Sequence, residues 1–248
     1  MTPTDPPKND TRDTEELDDL PLAGDELDLL AGLIHLEQAR VVEAGCGSAR
    51  LLRQLVRRHP LAAGVGLEVD AVQHAKNLVA SEARLRFVDA GAQSIPFPDA
   101  SFDVALMLKS LHHVPVPIMD VALVELARVV RPGGWLYVSE PIYGGALNEI
   151  VRLYNDEGVV RREAQAALDR AVEEGRLWQA TSEHRFAQAV HYRDFDDFAQ
   201  RMLYPSFADH RITEDLLQRV REAYQPHQRA DGARFVRPMH VRLLRRTG

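Results

Sequence analysis

Short apolar runs alternate with helical periodicity along the chain up to about residue 140. The strand-like runs cover residues 40–43, 64–69, 84–89, 102–108 and 134–139. Between them, residues 49–58, 71–81 and 118–130 place apolar side chains three and four apart, the spacing that gathers them on one face of a helix. In the last of these, Ile118, Val121, Ala122, Leu126 and Val129 share a face, and Glu125 and Arg128 are available as a surface pair. Arg131-Pro132-Gly133-Gly134 stops that helix, because proline cannot continue it and glycine frees the backbone to leave it. Strand alternating with helix predicts an α/β fold with a mostly parallel sheet, helices on both faces and right-handed crossovers. Ligands bind such sheets at the carboxyl ends of the strands, where the strand order reverses.

The rhythm changes near Gly144. Residues 146–174 read as mostly helical with a break near Gly158, residues 184–192 as mixed, and residues 194–203 and 213–224 as helical. Phe235, Val241 and Leu243 mark a last strand over residues 234–245. Composition then narrows the class. The chain has 248 residues and is 45% hydrophobic, enough for a substantial core. No apolar run is long enough for a membrane span and no signal peptide opens the chain, so a cytoplasmic protein without a membrane partner is expected. The single cysteine, Cys46, forbids an internal disulfide and a cysteine-based zinc site, and the ten histidines contain no His-x-x-x-His pair, so no metal centre is expected. The net charge of −7 is misleading, since residues 1–28 hold ten acids and two bases while the remainder carries 27 acids and 28 bases. Residues 1–16 are polar and acidic, and are expected to form a disordered tail. Ten arginines against five acids in residues 201–248 form a basic surface, but no basic stripe interleaved with aromatics points to nucleic acid.

Four features fall at strand ends. Val41-Val42-Glu43-Ala44-Gly45-Cys46-Gly47 runs a strand into a glycine turn that lets a ligand approach the backbone, but Arg50 stands where the dinucleotide pattern requires glycine. Glu68 closes the next strand, where a carboxylate can accept from both hydroxyls of a ribose. Asp89, followed by Ala90 and Gly91, can accept from an exocyclic amine while the neighbouring N–H donates to a ring nitrogen. Lys109-Ser110-Leu111-His112-His113 follows the fourth strand.

Together with residues 89–103 and Arg131-Pro132-Gly133-Gly134-Trp135-Leu136-Tyr137-Val138-Ser139-Glu140, these segments resemble successive motifs of the class I S-adenosylmethionine-dependent methyltransferases, in the small-molecule branch of quinone and natural-product biosynthesis. The resemblance covers residues 38–141. It implies a Rossmann-like, doubly wound sheet of seven strands with a helical lid, built as one domain over residues 17–248. Within it, residues 38–141 would bind the cofactor, 142–233 would form the lid and substrate region, and 234–246 the final strand. It also implies that Glu43, Gly45, Cys46 and Gly47 line the methionine part of S-adenosylmethionine, Glu68 and Val69 its ribose, Asp89 and Ala90 its adenine, and Lys109 the methyl-bearing sulfur. The product left there would be S-adenosylhomocysteine. Ala49 departs from the family's third glycine. Lys109-Ser110-Leu111-His112 replaces the Asn/Asp-Pro-Pro-aromatic motif of enzymes that methylate amide or adenine nitrogens, which argues against those acceptors.

The expected activity is in-line methyl transfer to a small molecule, with the protein aligning the acceptor and excluding water. His112 and His113 are the candidates for a catalytic base, and Tyr143, Tyr154, His191 and Tyr192 for contacts with the substrate. Two rivals stand beside this reading. One is a cofactor-binding protein without turnover. The other is a nicotinamide-dependent oxidoreductase, which lacks support from Gly-x-Gly-x-x-Gly or Tyr-x-x-x-Lys. The acceptor, the atom methylated and the oligomeric state are not legible.

Overall fold

In the computed structural model, which describes residues 17, 19–59, 62–173, 177–206 and 208–248, the alternating pattern becomes a layered sheet. The acidic segment 1–16 lies outside the described residues. The first elements are β1 (Leu22–Ala23), α1 (Glu26–Leu33), β2 (Arg40–Ala44), α2 (Arg50–Arg58), β3 (Ala63–Leu67), α3 (Ala71–Val79), β4 (Leu85–Val88) and β5 (Phe102–Leu108). Then come α4 (Met119–Val129), β6 (Val130–Pro141), α5 (Ala146–Val151), α6 (Gly158–Glu173), β7 (Trp178–Tyr192), α7 (Phe195–Met202), α8 (Glu214–Tyr224), β8 (Gln228–Arg229) and β9 (Gly232–Arg246).

The strand order is β1-β7-β9-β6-β5-β2-β3-β4, with β8 on β9. Strands β4, β3, β2, β5 and β6 are parallel, and β9 enters antiparallel between β6 and β7. Among the described residues nine strands are present where seven were expected; the two additions, β1 and β8, are two residues each. The order reverses between β2 and β5, so a crevice opens at their carboxyl ends.

Alternation along each strand feeds two cores. On β5, Val104 and Leu106 face one side with α1 and α2, while Ala105 and Met107 face the other with α4 and α6. A third cluster joins Leu147 and Ile150 of α5, Phe198 of α7, Tyr224 of α8 and Phe235 of β9. It roofs the end of the sheet with the second half of the chain.

Two segments differ from the sequence expectation. Residues 142–233 are not wholly helical: β7 runs for 15 residues, where only 184–192 had a mixed signal. Gln179–Glu183 alternates poorly because this strand has only the two-residue β1 on its outer side, and so stays largely solvated. Helix α4 ends at Val129, before the cluster 131–134 that was expected to stop it; the cluster lies inside β6, where the register slips between Phe102 and Val104 of β5. No helix among the described residues is long and apolar enough to cross a membrane.

Candidate active site

At the end of β2 the chain turns through Gly45 (φ 70°) and Gly47 (φ 51°), both in the left-handed region. A Cβ on Gly45 would stand 2.8 Å from the Ser110 Cβ, so this glycine also lets the loop approach the end of β5. Ala49 takes the third position with φ 55°, as the N-cap residue of α2. Its methyl group is buried, and the strain of a left-handed alanine is carried by the packing around it. Cys46 is buried and receives a 3.8 Å contact from Asn77 Nδ2, which also donates to the Gly47 carbonyl at 2.7 Å. Burial pushes the Cys46 thiol pKa up, so it is a packed group rather than a thiolate.

Glu68 braces this turn. Its Oε2 accepts from the Gly47 N–H at 2.7 Å and its Oε1 from the Asp70 N–H at 2.8 Å. Each carboxylate oxygen keeps a further lone pair for a ligand hydroxyl. Val69 is exposed beside it, and Asp89 and Ala90 lie at the rim beyond β4 with Asp89 exposed. The Asp103 in the third motif serves the scaffold: its Oδ2 accepts from the Arg40 N–H at 2.8 Å and its Oδ1 from Arg131 Nε at 2.7 Å.

Under the glycine turn sits a cluster of buried acids. Glu43 is 3% exposed and its Oε2 meets no donor among the described residues. Burial raises its pKa to about 8, against the opposing pull of Lys109 and with the repulsion of Glu26 and Glu68 added. Glu26, from the first turn of α1, is also buried and its Oε1 is likewise without a donor. Its Oε2 lies 3.6 Å from Lys109 Nζ. Lys109 itself ends β5 with φ 57°, which aims the chain across the crevice.

Beyond Lys109 the backbone forms a short 3₁₀ turn, Leu111–His113. The buried Glu140, at the end of β6, organises it: Oε1 accepts from the N–H groups of Ser110 (3.1 Å) and Leu111 (2.8 Å), and Oε2 bonds His112 Nδ1. This contact fixes the His112 ring and leaves its Nε2 on the side away from Glu140. That Nε2 points to Glu157, 3.9 Å away. Burial works against the Glu157 charge, but His112 and Arg161 outweigh it and hold the carboxyl below its usual pKa. Burial and the neighbouring His112 lower the pKa of His113, whose side chain stands on the exposed rim.

These groups face a cavity of about 220 Å³ between the strand ends and the second-half roof. Lys109, His112 and His113 form its floor, α5 and α6 one wall, and Arg201, His210 and Arg237 the other. Of the four proposed substrate contacts, Tyr154 lines the cavity, with a buried hydroxyl that meets no donor or acceptor among the described residues. Tyr192 packs instead into the third core against Phe198 and Phe235. His191 is turned outward to the Asp231 carbonyl at 2.8 Å, and Tyr143 donates to Asp156 at 2.9 Å; neither lines the cavity. The fold also gathers three potential ligand groups that spacing could not reveal, since His112, His113 and Glu157 present ligand atoms within 4.8 Å of one another. Arg161, 2.6 Å from Glu157 Oε2, already occupies that carboxylate.

Glu26, Glu157 and Arg237 escaped the sequence reading because they lie outside the motif-bearing segment. Glu140 lies within it, but an acid at a strand end has no visible partner until the 3₁₀ turn is placed.

Comparison with known proteins places this geometry in context. Residues 42–138 match a family described as a methyltransferase domain. A fatty-acid O-methyltransferase of Mycolicibacterium smegmatis is 37% identical over 112 residues, 44% of this chain and 40% of that protein. A 27-O-demethylrifamycin SV methyltransferase of Amycolatopsis mediterranei is 33% identical over 118 residues, 46% of this chain and 43% of its own length. The matched region thus spans about two fifths of these curated relatives. A Bacillus halodurans C-125 protein solved as a candidate methyltransferase shares the fold, with a TM-score of 0.61 over 91% of this chain and 100% of that one at 17% identity.

Proposed function

We propose that this chain, whose residues 42–138 match a methyltransferase domain, moves a methyl group from S-adenosylmethionine to a small-molecule acceptor held in the cavity above Lys109 and His112. The observation that carries the reading is the pair of buried carboxylates near the glycine turn, Glu43 and Glu26, each with an oxygen that meets no donor among the described residues. Two neighbouring buried acids left short of donors match a ligand that brings its own cation, as the α-ammonium of a methionine moiety does.

The remaining groups fit the same ligand. The open backbone at Gly47, with nothing within 4 Å of a notional Cβ, would admit the ligand chain, and the spare lone pairs of Glu68 would accept from its ribose. Asp89 and Ala90 would border the adenine, and Lys109 the sulfur. When bound, the cofactor supplies an electrophilic methyl on a sulfonium with a neutral thioether as leaving group. The chain's own part is alignment, exclusion of water and proton management.

His112 is the group placed for the last of these. His112 lines the cavity, and with its Nδ1 held by Glu140 a neutral ring would offer Nε2 to accept the proton of an acceptor hydroxyl, Glu140 supporting the imidazolium that results. This arrangement favours oxygen methylation, in keeping with the O-methyltransferases among the relatives. Small-molecule acceptors, a site free of nucleic acid and membrane, and a cytoplasmic location belong to the same reading.

Calorimetry with S-adenosylhomocysteine, followed by turnover with methyl-labelled S-adenosylmethionine over a panel of hydroxylated acceptors, tests it. One-to-one cofactor binding and label transfer are expected. Absence of binding to the folded protein would overturn the proposal, and binding without transfer to any acceptor would leave a cofactor-binding protein without turnover.

A further inference from the structure

Four cationic side chains line the cavity, Lys109, Arg161, Arg201 and Arg237, against one carboxylate, Glu157. Three of the four have carboxylate partners. Lys109 lies 3.6 Å from Glu26, Arg161 lies 2.6 Å from Glu157, and Arg201 lies 3.2 Å from Asp197. Arg237, on β9 opposite Gln188 of β7, has no ion pair or hydrogen bond among the described residues. The nearest carboxylate is not free to turn towards it, because Glu157 Oε2 takes two bonds from Arg161 and Oε1 one from Asn155.

A half-buried guanidinium without a partner is costly, and arginine cannot escape the cost by losing its proton. Burial lowers the Arg237 pKa, with Arg161 adding repulsion, yet leaves it charged. Its planar fork of donors suits an oxyanion with two oxygens side by side. We propose that the acceptor carries an anionic group, a carboxylate or a phosphate, which Arg237 binds as an anchor across the cavity from His112. The inference rests on the methyltransferase reading for the word acceptor, but the anion site itself is read from the cavity alone.

The test uses the full chain with benzoate, phenyl phosphate and benzamide as probes, their binding followed by ligand-observed NMR with and without S-adenosylhomocysteine. Benzoate or phenyl phosphate is expected to bind the wild type, benzamide to bind at least tenfold more weakly, and Arg237→Gln to lose at least tenfold in anion affinity with Arg237→Lys recovering part of it. The stronger of the two anions identifies which oxyanion the site takes. Equal binding of benzamide, failure of both anions to bind the wild type, or unchanged anion binding in Arg237→Gln would each overturn the proposal. Thermal melts separate a merely structural arginine: removal of an unpaired buried charge should leave the melting temperature equal or higher, and a clear fall with anion affinity intact counts against the anchor. Loss of S-adenosylhomocysteine binding by the wild type would instead sink the methyltransferase reading and leave the anion result standing.

Discussion

At the scale of the residue, Glu43 makes the sharpest demand. Its carboxyl is protonated below about pH 8 in the free protein, because burial outweighs the help of Lys109. A bound ammonium favours the carboxylate, so cofactor binding near pH 7 should release about one proton. Affinity should therefore rise between pH 6 and 8, by at most about tenfold per unit, and the calorimetric enthalpy should vary with the ionisation enthalpy of the buffer. Glu43→Gln should bind more weakly and lose this dependence. The same shift has a stability counterpart. A carboxyl whose folded pKa lies above its unfolded value of 4.5 stabilises the fold below that value, and the contribution is lost as pH rises towards about 8. Thermal melts of the wild type should accordingly fall relative to Glu43→Gln across that window. His112→Ala should lower kcat on a hydroxyl acceptor by about 10²–10⁴ while leaving cofactor affinity unchanged. Glu140→Gln keeps an acceptor for Ser110 and Leu111 but removes the charge on Nδ1, so a smaller loss of kcat is expected in steady-state assays.

At the scale of the element, close approach is what sets the glycine turn in place. A Cβ on Gly66 of β3 would lie 2.7 Å from Cys46 Sγ and 2.9 Å from Phe87 Cδ1, so Gly66→Ala must displace either the turn or the neighbouring strand. Overpacking of this kind costs about 1–3 kcal/mol. The loss should appear as a lower urea midpoint, together with weaker cofactor binding because the turn moves. On the opposite face, buried Trp178 at the start of β7 donates to the Leu123 carbonyl of α4 at 3.0 Å. Trp178→Phe removes this donor and leaves the carbonyl only its helical bond, and should cost about 0.5–1.5 kcal/mol in the same measurement. The pattern of residues 40–139 made β2 to β6 and their helices legible, since strands buried on both faces read as apolar runs. Strand β7 was only half legible because its solvated edge leaves Gln179–Glu183 without an apolar run.

For the whole molecule, the last strand is the keystone. β9 lies between β6 and β7, and its Val241 and Leu243 enter the core beside α1 and α2 while Leu244 enters the opposite one. Deleting residues 232–248 should therefore abolish cooperative unfolding, as followed by circular dichroism, rather than merely trim an end. The half of the candidate site proposed to hold the methyl donor was written in local sequence, because a glycine turn and strand-end acids sit next to the strands that position them. The alternating pattern made the parallel sheet legible, and the resemblance carried by the motifs at its strand ends singled out Glu43, Gly45, Gly47 and Glu68. The rest of the candidate site was not legible. Glu26, Glu140, Glu157 and Arg237 come from four separate elements or loops, and burial, pairing and orientation gave each its character. Tyr154 and Tyr192 are both aromatic and both near the roof, yet one lines the cavity and the other fills a core. Periodicity records which face of an element is apolar; only the packing of elements decides which polar group is left without a partner.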